Sequence, residues 1–163
     1  MKLEYVEIGQ IVNTHGVRGE VKLNPWEIDP ELLRRVKTFY IGGRAYKPSG
    51  FRVHKNCALL TFPEIPDLDA ALALKGKVVS IRRSDVRLPD GTYFTAELMG
   101  LTALDAETGQ VLGTLEDVMP SPAHDVYAIR GEKEFLVPAV PAFVEDIDMD
   151  AGTIKIRVWE GLI

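Results

Sequence analysis

Short runs in which apolar and polar residues alternate dominate the first half of the chain. Val6 and Ile8, Val21 and Leu23, Phe39 and Ile41, Leu60 and Phe62, and Val79 and Ile81 each recur at a spacing of two, with turn residues between the runs. That is the period of a half-buried strand. Two helical interruptions are predicted: Asp29-Pro30-Glu31-Leu32-Leu33-Arg34-Arg35 opens on a capping residue and a first-turn proline, and Asp67 to Lys75 stops at Gly76. Further strands are predicted at 101–104, 111–118, 126–129, 135–137 and 153–158, joined by Ala106-Glu107-Thr108-Gly109, Arg130-Gly131-Glu132 and Asp150-Ala151-Gly152. Short strands at this spacing predict an all-β fold with short connecting helices, closed into barrels that leave few open edges.

Ser84-Asp85-Val86-Arg87-Leu88-Pro89-Asp90-Gly91 interrupts this pattern with a Leu-Pro step and an Asp-Gly turn signal. It divides the chain into residues 1–83, a linker at 84–91, and residues 92–163. A length of 163 residues accommodates two small domains. With 46% hydrophobic and 26% charged residues, the composition excludes a disordered chain. No stretch approaches the roughly 18 apolar residues of a membrane span. The first twelve residues lack the basic start and apolar run of a signal peptide, so a cytoplasmic protein without membrane partners is expected. Cys57 is the single cysteine and reads as a small buried hydrophobe.

The net charge of −5 hides an asymmetry. Residues 1–86 carry 14 Lys and Arg against 10 Asp and Glu, whereas residues 87–163 carry 5 against 14. The halves therefore suit partners of opposite sign, or one another. Catalytic signals are weak. His15, His54 and His124 are widely separated along the chain, and no Gly-rich loop ends in Lys-Ser/Thr. Ser121, His124 and Asp125 lie beside Pro120 and Pro122 in a span where a self-capping turn is the favoured reading. Asp146, Asp148 and Asp150 read as a solvated strand face. No catalytic residue, metal or cofactor is expected.

Two segments carry more information. In Ile8 to Val21, Gly16 and Gly19 permit positive φ on either side of Val17-Arg18, which would place His15 and Arg18 at a hairpin tip. In Leu88 to Gly100, adjacent Tyr93 and Phe94 would point to opposite faces if the segment is extended, leaving one ring for a partner or for packing between domains.

These two segments, with Ala123-His124-Asp125-Val126-Tyr127 and Leu136-Val137-Pro138-Ala139-Val140-Pro141 running on to Glu160-Gly161-Leu162, resemble the RimM family of ribosome maturation factors over essentially the whole chain. The resemblance implies two small β-barrels in tandem, a six-stranded barrel like those of translation factors and then a PRC barrel. It also implies a non-enzymatic assembly factor, monomeric when free. Such a factor binds the head of the immature small ribosomal subunit through small-subunit ribosomal protein nineteen and assists maturation of its rRNA. The family's Tyr-Tyr pair, implicated in subunit binding, maps to Tyr93 and Phe94; Phe94 lacks the hydroxyl, and Thr95 stands where an aromatic residue is common. Candidate phosphate contacts are His15, Arg18, Lys22, Arg82 and Arg83, with Arg34, Arg35 and Lys37 also suited to a helix C-terminus. A protein-binding adaptor without an RNA role and an RNA-modifying enzyme are the alternatives.

Overall fold

The computed structural model describes residues 3–16, 19–159 and 161–162. It divides into two compact units, Leu3–Thr92 and a second beginning at Tyr93. The first contains β1 (Tyr5–His15), β2 (Glu20–Pro25), β3 (Phe39–Ile41), β4 (Arg44–Tyr46), β5 (Gly50–His54), β6 (Cys57–Thr61) and β7 (Val78–Arg82), with helix α1 at Leu68–Leu72 and 3-10 turns at Pro30–Leu33 and Arg83–Asp85. Its strands form one sheet in the order β4-β3-β7-β1-β2-β6-β5. Seven strands take part where the family resemblance implies six, and β3 and β4 are only three residues long.

The two outermost strands of this sheet are consecutive in sequence, and that forces the sheet to curl. Laid flat, β4 and β5 would stand six strand spacings apart, about 29 Å. The three residues between them span at most about 14 Å. Aromatic packing helps to close the gap: Phe62, just beyond β6, lies 5.6 Å from the Tyr46 ring on β4 and 6.2 Å from Phe39 on β3. Lys47 N donates to Glu64 Oε1 at 3.2 Å across the same seam. Inside the curl, Ile8, Ile11, Val21, Leu23, Phe39, Ile41, Leu60, Val79 and Ile81 are buried. β1 follows the curvature through register shifts between Glu7 and Gly9 and between Ile11 and Asn13, bulges that add twist.

Both predicted helices are single turns. The Asp29 carboxylate accepts from Glu31 N at 3.0 Å with Pro30 in the first turn, and Asp67 accepts from Ala70 N at 2.9 Å. Segments this short hold no helix without tertiary support, so packing rather than the caps sets their length.

The second unit contains α2 (Thr95–Leu98), β8 (Thr102–Asp105), β9 (Val111–Met119), β10 (Val126–Arg130), β11 (Glu134–Pro138), β12 (Val144–Asp148) and β13 (Thr153–Ile156). Their order is β11-β10-β9-β8-β13-β12; β13 and β8 run parallel and the other neighbours antiparallel. The outermost strands are again consecutive in sequence. Residues 139–143 connect β11 to β12 through a turn in which Val144 N donates to Val140 O at 2.9 Å. A flat sheet would need them to reach about 24 Å. The resulting curl encloses Leu101, Leu115, Tyr127, Ile129, Phe135, Val137, Ile154 and Ile156. Among the described residues, no helix is long and apolar enough to cross a membrane.

Gly16 and Gly19 have φ of 70° and 82°, and a Cβ on Gly19 would stand 2.8 Å from Asp67 O and 3.1 Å from Ile65 O. Nothing lies within 4 Å of the equivalent point at Gly16. Gly19→Ala is therefore expected to lower stability by about 2–4 kcal/mol and Gly16→Ala by about 1, measured by urea denaturation. Equal losses would show that the contact with residues 65–67 contributes nothing.

Candidate functional site

The basic candidates of the first unit do not form one patch. His15 ends β1 opposite Glu20, the first residue of β2. Arg18 lies outside the described residues. His15 and His54, far apart in sequence, are neighbours in space, with ring centroids 5.8 Å apart although β2 and β6 separate their strands in the ladder. Among the described residues, however, no group of three or more His, Cys, Asp or Glu could hold a metal ion. Beside the tip, Arg52 Nη2 donates to Glu20 Oε1 at 2.9 Å; that hydrogen bond and the carboxylate's charge raise the Arg52 pKa. Leu59 faces Lys22 on one side and Arg52 on the other, so both cations occupy the same row of the ladder.

Arg82 lies elsewhere. It is paired with Tyr5, ten residues before His15 on β1, a separation of up to about 33 Å along the strand. Its Nε donates to Tyr40 Oη at 3.3 Å and its guanidinium stands 5.3 Å from the centroid of the Tyr5 ring. Arg83 Nη1 donates to Val86 O at 2.9 Å, a contact that anchors the chain after β7. Arg34 pairs with Glu31 at 2.9 Å and lies 5.1 Å from the Phe51 ring centroid, while Arg35 and Lys37 are exposed.

In the second unit the segments set apart by sequence converge. β10 and β11 pair Tyr127 with Val137 and Val126 with Pro138, and Ala139 N donates to Asp125 O at 2.9 Å. His124 Nδ1 lies 3.0 Å from the same carbonyl oxygen. Tyr93 is half-buried against this core. Burial raises the Tyr127 pKa first, followed by the Asp125 carboxylate and then Tyr93, so Tyr93, Asp125 and Tyr127 share one corner. Phe94 is 2% exposed and caps α2 with an extended backbone. Segment 93–98 is thus an extended entry into a helical turn, not a continuous strand. Asp148 accepts from Asp150 N and Ala151 N, both at 3.0 Å, which makes it the cap of the β12–β13 turn.

Two curled sheets in tandem, with aromatic and ionisable side chains gathered on their outer faces and at one barrel corner, define a two-barrel all-β protein. Residues 6–86 match the RimM N-terminal domain and residues 95–162 the RimM PRC barrel domain. The chain belongs to the RimM family. It is 33% identical to the ribosome maturation factor RimM of Clostridium botulinum, covering 96% of this chain and 98% of that one. It is 35% identical to the factor of the same name from Desulforamulus reducens over the full length of both. A crystal structure of RimM from Pseudomonas aeruginosa is 28% identical over 95% of this chain and 98% of that one, with a TM-score of 0.43.

The Tyr127 phenol supplies a pH test. Its native pKa lies above the ordinary 10.0, so the unfolded phenol loses its proton first as pH rises. The native state then binds more protons, and stability falls with pH above about 10. Tyr127→Phe should flatten that fall in urea midpoints measured from about pH 9 to pH 11. Asp125→Asn should lower the phenol's midpoint by ultraviolet titration. An unchanged midpoint would remove Asp125 from the corner's electrostatics.

Proposed function

We propose that this protein is a ribosome maturation factor of the cytoplasm that binds the immature small ribosomal subunit and assists maturation of its rRNA without catalysing a reaction. The names of the full-length relatives support this reading. The observation that carries it to particular residues is the convergence of Tyr93, His124-Asp125-Tyr127 and the end of β11 at one corner of the second unit. That unit carries 13 Asp and Glu against 4 Lys and Arg, which favours a basic partner, and small-subunit ribosomal protein nineteen is the partner assigned to it. Residues 1–83 and 92–163 are taken as its domains and 84–91 as their linker. The cations of the first, His15, Arg18, Lys22 and Arg82, serve as separate phosphate contacts; Arg83, turned to its own backbone, contributes less.

Of the aromatic pair, Tyr93 is the binding residue and Phe94 the packing residue. A half-buried ring keeps part of its surface for a partner, whereas a ring 2% exposed has none to share. Tyr93→Ala is expected to weaken co-sedimentation with immature subunits by about thirty-fold to a thousand-fold while the protein remains folded. Phe94→Ala should cost about 3–5 kcal/mol of stability. A Tyr93→Ala protein that melts much earlier while its folded fraction binds normally would return Tyr93 to a packing role.

Salt provides a second measurement. Affinity for immature subunits should fall as ionic strength rises, and Lys22→Glu or Arg18→Glu should each reduce that dependence by about one phosphate contact. Unchanged slopes in both would remove the hairpin from the RNA contact.

A further inference from the structure

A concave surface on the outer face of the first barrel remains to be explained. The registers of β3, β7 and β1 set Tyr40, Ser80 and Glu7 side by side in one row, with Tyr5 opposite Arg82 near it. Tyr5, Glu7, Tyr40 and Ser80, with Lys77, Val78 and the turn at Gly42-Gly43, border a shallow, open groove, and Arg82 stands beside it against the two tyrosines. Tyr5, on the outward row of β1, is 43% exposed. The Tyr5 and Tyr40 rings meet edge-on, 5.3 Å apart at 87°. Arg82 is held by both, hydrogen-bonded to one phenol and packed on the other ring, with its guanidinium still exposed.

Folding alone does not call for this arrangement, since outward positions on β1, β3 and β7 could be any polar residue. Its parts match the parts of a nucleotide. Aromatic faces stack a base, a fixed guanidinium and a lysine reach phosphates, and a carboxylate beside a serine hydroxyl reads the N–H groups of a base edge. Charge narrows the choice further. Glu7 in the groove and Glu4 near Arg82 largely offset Lys77 and Arg82. Phosphate attraction therefore cannot fill the groove, and the base has to supply the affinity. A paired base presents neither its face nor its Watson–Crick edge, which restricts the ligand to unpaired nucleotides. Guanine offers Glu7 two adjacent N–H donors.

We infer that this groove binds one unpaired nucleotide of single-stranded RNA, guanine by preference, with the base on the tyrosines and the phosphates toward Arg82 and Lys77. The inference rests on the reading above for where such RNA is met, but its chemistry stands on free oligonucleotides. The full-length protein is titrated with fluorescein-labelled UUGGUU, UUUUUU and a six-base-pair RNA duplex, using anisotropy and the amide shifts of Tyr40 and Ser80. UUGGUU should bind most tightly and the duplex most weakly. Tyr40→Ala and Arg82→Ala should each weaken UUGGUU by about tenfold or more, and Glu7→Gln should abolish its advantage over UUUUUU. Tyr40→Phe and Arg82→Lys, which preserve packing, provide the same test should the alanine variants unfold: loss of the hydrogen bond and of the planar cation should weaken UUGGUU measurably. No saturable binding, equal binding of the duplex, or variants that bind as the parent does would overturn the inference. So would a Tyr40→Ala protein that retains the oligonucleotide but loses immature subunits, the mark of a peptide occupant. Co-sedimentation with subunits is run in parallel. Protein that sediments with subunits yet ignores the oligonucleotides refutes the groove alone, and the converse refutes only the proposed subunit partner.

Discussion

Three residues join the outermost strands of the first sheet and five join those of the second, and these short links govern both units. A strand ladder laid flat would tear its own chain at those links. Curling brings the end strands together, and the curl creates an inside that only apolar side chains can fill. The bulges in β1, the Phe39-Tyr46-Phe62 packing and the turn after β11 are the local means by which one geometric demand is met.

The same curvature distributes the functional groups. A long strand on a curved surface carries its two ends to different places, so His15 and Arg82 cannot serve a single contact although both belong to the basic half of the chain. Curvature also works the other way, bringing His15 to His54 across two intervening strands. Exposed ion pairs such as Arg34 with Glu31 contribute little to stability. Their consequence is to hold some guanidinium groups in internal contacts, leaving a smaller set of cations to meet a partner.

Tyr93 and Phe94 show how folding and recognition divide between adjacent residues. Extended backbone at Phe94 leads directly into α2, and the two side chains diverge: one is sealed in, and the other is half-covered beside Tyr127 and Asp125. A hydroxyl on a sealed ring would need a buried hydrogen-bond partner, whereas phenylalanine fills the space without that demand.

Much of the fold was legible in the residues themselves. Period-two alternation marked β1, β2, β3 and β7 because each has one face inside a curl, and Asp29-Pro30 and Asp67 marked the two helical turns because a carboxylate at an N-terminus satisfies otherwise unpaired backbone N–H groups. Gly16 and Gly19 signalled the hairpin because positive φ is a local property of one residue. Strands β4 and β5 were not legible: β4 has three residues, and β5 turns into β6 through Lys55-Asn56, a pair with positive φ that carries no glycine. The family motifs marked Tyr93 and the 124–127 segment, but their shared corner, the Arg52–Glu20 pair and the tyrosine groove with Arg82 were set by the tertiary structure alone. Alternation and capping depend on neighbours along the chain, whereas these contacts depend on which strands a curled sheet lays side by side, and that is fixed only when the whole sheet closes.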